Sequence, residues 1–438
     1  MKIMLIQPAQ LDYAQKPTYR HKSWFDDLTL AYMAALTPPD VELKAVIESV
    51  DGIDFDADVD LVAVTTMGVS PMLRAYQISQ RFRDRGIPVI FGGPNFTLHA
   101  AEAKRHADSV MLGEAETTWR RVLSDAQRGR LEPFYESTPL DDLSGLPVPL
   151  YELFNSRPEF RDALFTVQAS RGCPHRCDFC AISALTQGRV RFRPIDDVIR
   201  DVKATGRKRI FFADDNLMAR PQYYMELFER LIPLKIHWVG ATTLNIGRKP
   251  AMLELARRSG CTLLILGVES IAQDVLDGVR KSFNHTKEYE ELIANIHKAG
   301  IIASCSTIFG LDGDDRGVFD RTVDLYTPNK VRFAPFFILT PVPGTATWKK
   351  LKEEGRILTE DYSRYDAQSA VFKPALMTAK ELEEGLLYAR KKMYRLGSIA
   401  RRLLPPLGNV WADAMAVGMN YRYSQLLRRG GFAAFNFN

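Results

Sequence analysis

Three of the chain's five cysteines fall within eight residues, Cys173, Cys177 and Cys180, in the run Ser170-Arg-Gly-Cys-Pro-His-Arg-Cys-Asp-Phe-Cys180. Thiolates are soft ligands for zinc and for iron–sulfur clusters, and a structural site normally takes four of them. Three thiolates on a cluster leave one iron open to a small molecule, so CxxxCxxC reads as a vacancy for chemistry. The competing reading is a zinc knuckle completed by His175 or a distant residue. Structural zinc sites usually bring their ligands as two separated pairs, which this run lacks. Cys261 and Cys305 stand alone on apolar segments and read as small buried hydrophobes.

Strand and helix patterns must position that loop. From Phe165 to about Gly344 the strand signals are Phe165–Ala169, Arg209–Ala213, Trp238–Thr242, Thr262–Val268, Ala303–Phe309 and Arg332–Leu339, with helical segments between them. This is the pattern of a barrel-like α/β domain too short for eight strands, with the cysteines just after the first strand, where barrel active sites form. Residues 1–130 alternate in the same way, with strands at Ile3–Ile6, Leu61–Thr65, Val89–Phe91 and Ser109–Met111 and an amphipathic helix over Met72–Arg85. A parallel, doubly wound sheet is expected, with ligands beyond the carboxyl ends of its strands. Those ends are Gln7-Pro8, Thr65-Thr66-Met67-Gly68-Val69-Ser70, Gly92-Gly93-Pro94-Asn95 and Leu112-Gly113-Glu114-Ala115-Glu116. Glycine there admits close backbone approach to a ligand or simply makes a turn. A proline-marked linker from Pro133 to Pro149 separates the two patterns. After Pro343-Gly344-Thr345 the chain reads as helical, and Thr378-Ala-Lys-Glu381 is a capping box opening the helix over Thr378–Arg395.

Composition sets the outer bounds. The 438 residues, 46% hydrophobic and 25% charged, suit a soluble multidomain enzyme. A net charge of +5 does not argue for nucleic acid, and the cysteine pattern is not a disulfide framework, so a cytoplasmic location is expected. The amino-terminal apolar run is too short for a signal, and no run is long enough for an ordinary transmembrane helix. Between Lys391 and Asn438 stand Lys391, Lys392, Arg395, Arg401, Arg402, Arg422, Arg428 and Arg429 against one acid, Asp413. Leu403, Leu404, Trp411, Met415, Met419, Tyr421 and Phe432 are interleaved with them. Such a mixture fits peripheral contact with an anionic membrane at the inner face, or a helical lid with a solvated basic side.

The cysteine spacing, with Phe179 before the third cysteine, resembles the radical S-adenosylmethionine superfamily. The resemblance implies a 4Fe-4S cluster on Cys173, Cys177 and Cys180. The amino and carboxylate groups of S-adenosylmethionine would chelate the open iron, and cleavage of that molecule would give a 5′-deoxyadenosyl radical. Asp214, Asp215 and Asn216, in Phe211-Phe-Ala-Asp-Asp-Asn216, become candidates for the methionine amino group; each could instead cap the next helix. Glu269 in Leu266-Gly-Val-Glu-Ser270 resembles a cofactor-contacting glutamate. Gly310 in Cys305–Asp314 resembles a glycine lying against adenine. Pro341–Thr345 matches the last strand's exit in cobalamin-using members. Phe179 completes the expected S-adenosylmethionine contacts.

The amino-terminal loops resemble the cobalamin-binding domain of one large branch. That resemblance implies cobalamin contacts at Pro8, Thr65, Thr66, Met67, Ser70, Gly92, Gly93, Pro94, Gly113 and Glu114. No Asp-x-His-x-x-Gly run exists, and His21, His99 and His106 have other neighbours, so base-off cobalamin with no histidine ligand is expected. The implied architecture is a Rossmann-like cobalamin domain (1–135), a linker (136–160), a partial (β/α)6 radical barrel (161–346) and helical residues 347–438. The implied activity is methylation of an unactivated carbon through methylcobalamin, on a small-molecule or lipid-like substrate, with a flavodoxin- or ferredoxin-type electron donor. Oxidative cyclisation, ring rearrangement or dehydrogenation with the same cofactors is the alternative. A metal-stabilised binding protein is the reading from outside enzymology. Methylthio-transferring relatives fit poorly, because residues 1–150 contain no cysteine.

Overall fold

The computed structural model describes residues 1–12 and 14–428. Among them lie two six-stranded parallel sheets and one small hairpin. The first sheet contains β1 (Lys2–Gln7), β2 (Glu42–Ile47), β3 (Leu61–Thr65), β4 (Val89–Gly92), β5 (Ser109–Leu112) and β6 (Phe134–Glu136), in the order β2-β1-β3-β4-β5-β6. Strand order reverses between β1 and β3, so a crevice opens beyond Gln7 and Thr65, where doubly wound sheets bind ligands. The central strands are apolar on both faces because helices cover both. The sequence reading misses β2 and β6. The first is an edge strand whose Glu42 and Lys44 break the apolar run, and the second lies just beyond Pro133 in the presumed linker.

The linker is not a loose spacer. Leu143 and Phe160 are fully buried, and Tyr151 and Phe154 are 1% exposed, so the segment packs into the main core.

The second sheet holds β7 (Phe165–Val167), β10 (Arg209–Phe212), β11 (His237–Thr242), β12 (Cys261–Glu269), β13 (Ile302–Phe309) and β14 (Phe336–Ile338), all parallel and in chain order. Between β7 and β10 stands the antiparallel hairpin of β8 (Ser170–Arg171) and β9 (Arg191–Phe192). Covering helices follow the expected periodicity. In Ile195–Ala204 the residues Val198, Ile199 and Val202 are buried, and Asp196 and Asp197 favour the positive helix start. Along the outer edge of β7, Leu164 donates its N–H to the Trp24 carbonyl at 2.8 Å, and Thr166 donates to Asp26 Oδ1 at 2.7 Å. The amino-terminal segment thereby covers an open side of the partial barrel.

The carboxyl-terminal residues form helices at Ala346–Glu353, Ala379–Met393, Leu396–Leu403 and Val410–Arg428. Thr378 and Glu381 make the expected capping box. The last helix closes the amino-terminal end of the barrel: Ala412 and Ala416 join Val239, Leu263 and Ile302 in one buried cluster, with Met415 and Met419 against it. The basic residues counted in this segment do not all lie on a solvated side. Arg402 is fully buried, donating to the carbonyls of Val331, Arg332 and Met393 and to Asn420 Oδ1 at 2.8–3.0 Å. Lys392 is paired with Asp320 and Asp324. Arg429 and Phe432 lie outside the described residues. Cys261 and Cys305 are buried small hydrophobes, as expected.

Candidate functional site: a cysteine loop facing an interdomain cavity

Three consecutive residues at the exit of β10 hold the cysteine loop at three successive points. Asp214 accepts from the Ala169 N–H at 3.1 Å, the Ser170 hydroxyl at 2.7 Å and the Tyr224 hydroxyl at 2.8 Å. Asp215 accepts from Gly172 N–H at 2.8 Å. The Asn216 amide lies 3.8 Å from Cys173 Sγ, while its oxygen accepts from Met218 N–H at 2.9 Å. Burial raises the Asp214 pKa against these hydrogen bonds, and it lifts Asp215 to about 6. In this structure the triplet therefore engages the loop backbone and Cys173, and Asp214 is saturated with protein partners. Gly172 has φ +98°, and a side chain there would strike the Arg189 carbonyl, so the turn into Cys173 requires glycine.

Cys177 is buried, while Cys173 and Cys180 are half-buried. Burial raises Cys177 to about 11, with Cys180, Glu269 and Cys173 adding to the shift and Lys281 opposing it. Cys173 is raised by burial too, with Cys180 and Asp215 contributing. Thiols that penalise one another's ionisation need a cation, and a metal cluster supplies one. No three His, Cys, Asp or Glu side chains among the described residues are gathered closely enough to hold a single metal ion. A zinc knuckle requires such a tight shell, whereas a cluster takes each thiolate on a separate iron. His175 is occupied otherwise, stacked on Phe283 at 3.5 Å between ring centres. The residues therefore fit the cluster better than one zinc ion.

Glu269 ends β12 with φ +66° and pairs with buried Lys281 at 3.3 Å. Gly267 leaves room for that pair: a Cβ there would lie 2.7 Å from Glu269 Oε1 and 3.1 Å from Lys281 Nζ. Lys281 also sits 5.8 Å from the centre of the Phe179 ring. Sequence reasoning missed Lys281, which is twelve residues beyond Glu269 in a loop without a motif. Gly310 is tight for another reason. A Cβ there would meet Leu382 Cδ2 at 2.7 Å, so the helix Ala379–Met393 packs on its backbone.

The carboxyl ends of both sheets face a cavity of about 740 Å³. Of the expected cobalamin contacts, Thr65, Met67, Gly92, Gly93, Pro94, Gly113 and Glu114 line it, as does Asp215 from the barrel side. Pro8, Thr66 and Met67 line a small adjoining recess. Ser70 lines neither and is buried just before the helix Met72–Arg83. Gly93 has φ +107°, and its Cβ would fall 2.7 Å from Thr65 Oγ1, so two strand ends meet there only through glycine. Leu5, Leu30, Met33, Ile47, Ala63 and Ile90 extend the cavity as an apolar recess along the first sheet. None of the described residues lining the cavity is histidine. Size, apolar recess and backbone cradle fit a large planar cofactor carrying an organic arm.

Residues 167–326 match the model of the radical SAM superfamily. The chain is 32% identical over 361 residues to the bacteriochlorophyllide d C-12(1)-methyltransferase of Chlorobaculum tepidum, covering 80% of this chain and 78% of that one. The chain belongs to the cobalamin-dependent radical S-adenosylmethionine enzymes. A second member of the family, the bacteriochlorophyllide d C-8(2)-methyltransferase of the same organism, is 28% identical over 83% of this chain and 82% of its own. The fold matches that of the radical S-adenosylmethionine methyltransferase TsrM from Kitasatospora setae with a TM-score of 0.69 at 13% identity, over 98% of this chain and 99% of that one. This family member thus has the three expected parts: a Rossmann-like sheet, a partial barrel and a helical carboxyl terminus.

Proposed function

We propose that this enzyme transfers a methyl group to an unactivated carbon of a small-molecule or lipid-like substrate. The observation that carries the reading is the 32% identity to a methyltransferase along most of both chains, joined to a cysteine loop and a large cavity on one interdomain face. When bound, the iron–sulfur cluster and S-adenosylmethionine supply the hydrogen-abstracting radical, and cobalamin supplies the methyl group. Cys173, Cys177 and Cys180 hold the cluster. Phe179, Asp215, Asn216, Glu269 and Gly310 form the S-adenosylmethionine side. Asp214 supports that side by fixing the Ala169–Ser170 backbone.

Thr65, Met67, Gly92, Gly93, Pro94 and Gly113 hold cobalamin, with Pro8, Thr66 and Ser70 behind them. The base-off state is supported by the absence of histidine among the described lining residues, and by the apolar recess, which suits a displaced nucleotide base. A flavodoxin- or ferredoxin-type protein supplies electrons. Exposed Leu404, Val410, Trp411, Val417 and Tyr421, with Arg401 and Arg428 nearby in sequence, support peripheral contact with an anionic membrane. No helix among the described residues is long and apolar enough to cross a membrane.

The two relatives make a bacteriochlorophyllide the first substrate to test. Anaerobic reaction with deuteromethyl S-adenosylmethionine is expected to give labelled product and S-adenosylhomocysteine in step. Deoxyadenosine with altered but unlabelled product would replace methyl transfer by cyclisation or dehydrogenation.

A further inference from the structure

Arg171 and Arg191 are directly opposed across the two-residue hairpin β8–β9. Like charges so placed destabilise a strand pair, and a hairpin this short offers little cross-strand pairing of its own to outweigh them. Their partners come from the other sheet. Glu114, just past β5, lies 3.0 Å from Arg171 Nη1 and accepts from both terminal nitrogens of Arg191, one at 3.0 Å. Glu116 lies 2.7 Å from Arg171 Nη1. Arg191 also donates to the Leu140 carbonyl at 2.8 Å.

The acids are themselves held firmly. Gly113, with φ +85°, turns the chain out of β5, its N–H donating to Thr97 Oγ1 at 3.0 Å, and the Glu114 N–H donates to Ser137 Oγ at 2.8 Å. On the barrel side Arg171 lies between Ser170, bonded to Asp214, and Gly172, bonded to Asp215; the next residue is Cys173. All four charged side chains line the cavity. A network of two bidentate-capable arginines and two acids, largely withdrawn from water, has defined geometry in a way that an exposed pair does not.

We infer that Glu114, Glu116, Arg171 and Arg191 form an interdomain clamp that fixes the distance between the cysteine loop and the first sheet's ligand crevice. The inference rests on the proposed function and gives Glu114 a positioning role. The hairpin is electrostatically complete only when the first sheet is docked, so the cysteine loop and the cobalamin side take one mutual register. Hydrogen abstraction from one side and methyl delivery from the other must meet at one substrate carbon, so the reaction depends steeply on such a register, and a misplacement of about 1 Å can cost roughly 100-fold.

The test uses holoenzyme variants Glu114→Gln, Arg191→Lys and the exchanged pair Glu114→Arg with Arg191→Glu. Pulsed electron paramagnetic resonance between cob(II)alamin and the reduced cluster reads their distance distribution. The ratio of deoxyadenosine to methylated product reads coupling. Glu114→Gln and Arg191→Lys are expected to broaden the distribution and raise the ratio about 10-fold or more, with the exchanged pair recovering part of both. Wild-type distribution and ratio in either folded single variant would overturn the clamp, even with a lowered melting temperature. Should Glu114→Gln fail to fold, Arg191→Lys, which keeps the charge and loses only the fork, decides alone. Failure of the methyl-transfer reading would appear separately, as unlabelled product from the wild type, and the distance measurement would still judge the clamp.

Discussion

Cys177 is the most enclosed of the three clustered thiols, and burial together with its neighbours holds its pKa near 11 without a metal. Cys177→Ala is expected to lose the roughly four irons per chain of a reconstituted cluster and to form no deoxyadenosine, as read by iron and sulfide analysis and by chromatography. Retention of a full cluster would move the ligand elsewhere. Asp26 carries a different consequence of burial. Its Oδ1 accepts from Thr166 N–H, its Oδ2 has no hydrogen-bond partner among the described residues, and burial raises its pKa to about 7. A raised carboxyl pKa gives stability that is complete below the unfolded value near 4 and lost as pH rises through 7. Asp26→Asn keeps the acceptor without the charge, so at pH 8 it is expected to exceed the wild type by on the order of 2 kcal/mol, and at pH 4 to show no such gain. Parallel urea midpoints across that range would assign the pH dependence to other groups. Of these residues the sequence pointed to the cysteines alone. Asp26 shows no motif, because its role comes from lying beside β7, 140 residues away.

At the scale of elements, glycine positions decide how closely segments approach. Gly172→Ala places a methyl group against the Arg189 carbonyl at a backbone angle that alanine adopts poorly. Expected outcomes are a loss of about 1–3 kcal/mol in stability and a lower iron content after reconstitution, because the turn leads directly into Cys173. An unchanged iron content would show that the loop tolerates the shift. Periodicity located the barrel strands to within a few residues because buried parallel strands are runs of apolar residues. It missed β2, whose outward side chains are charged, and the hairpin β8–β9, whose two-residue strands are too short to carry a period. That hairpin carries the clamp arginines, so the missed element bears directly on the site.

For the whole molecule, the last helices close the barrel end opposite the cavity, and one buried guanidinium organises them. Arg402→Ala leaves the carbonyls of Val331 and Met393 without their guanidinium donor, while that of Arg332 keeps Asn420 Nδ2, and a loss of at least about 3 kcal/mol is expected, measured as a fall in melting temperature. Arg401→Ala, one residue away and exposed, is expected to stay within about 0.5 kcal/mol. Equal effects would mean that the buried network contributes nothing. Along the sequence the two arginines are indistinguishable. The linear chain by itself determined the cysteine triad, the alternation of strands and helices, and the kinship those motifs carry, because ligand spacing and side-chain period are local properties. Only the tertiary structure decided which polar residues face the cavity, which ones hold the loop, and which basic residues are solvated, because burial and ionic partnership are set by segments distant in sequence. Glu114 illustrates the division: the glycine-rich loop marked it for a ligand, and folding gave it two arginines from the β8–β9 hairpin.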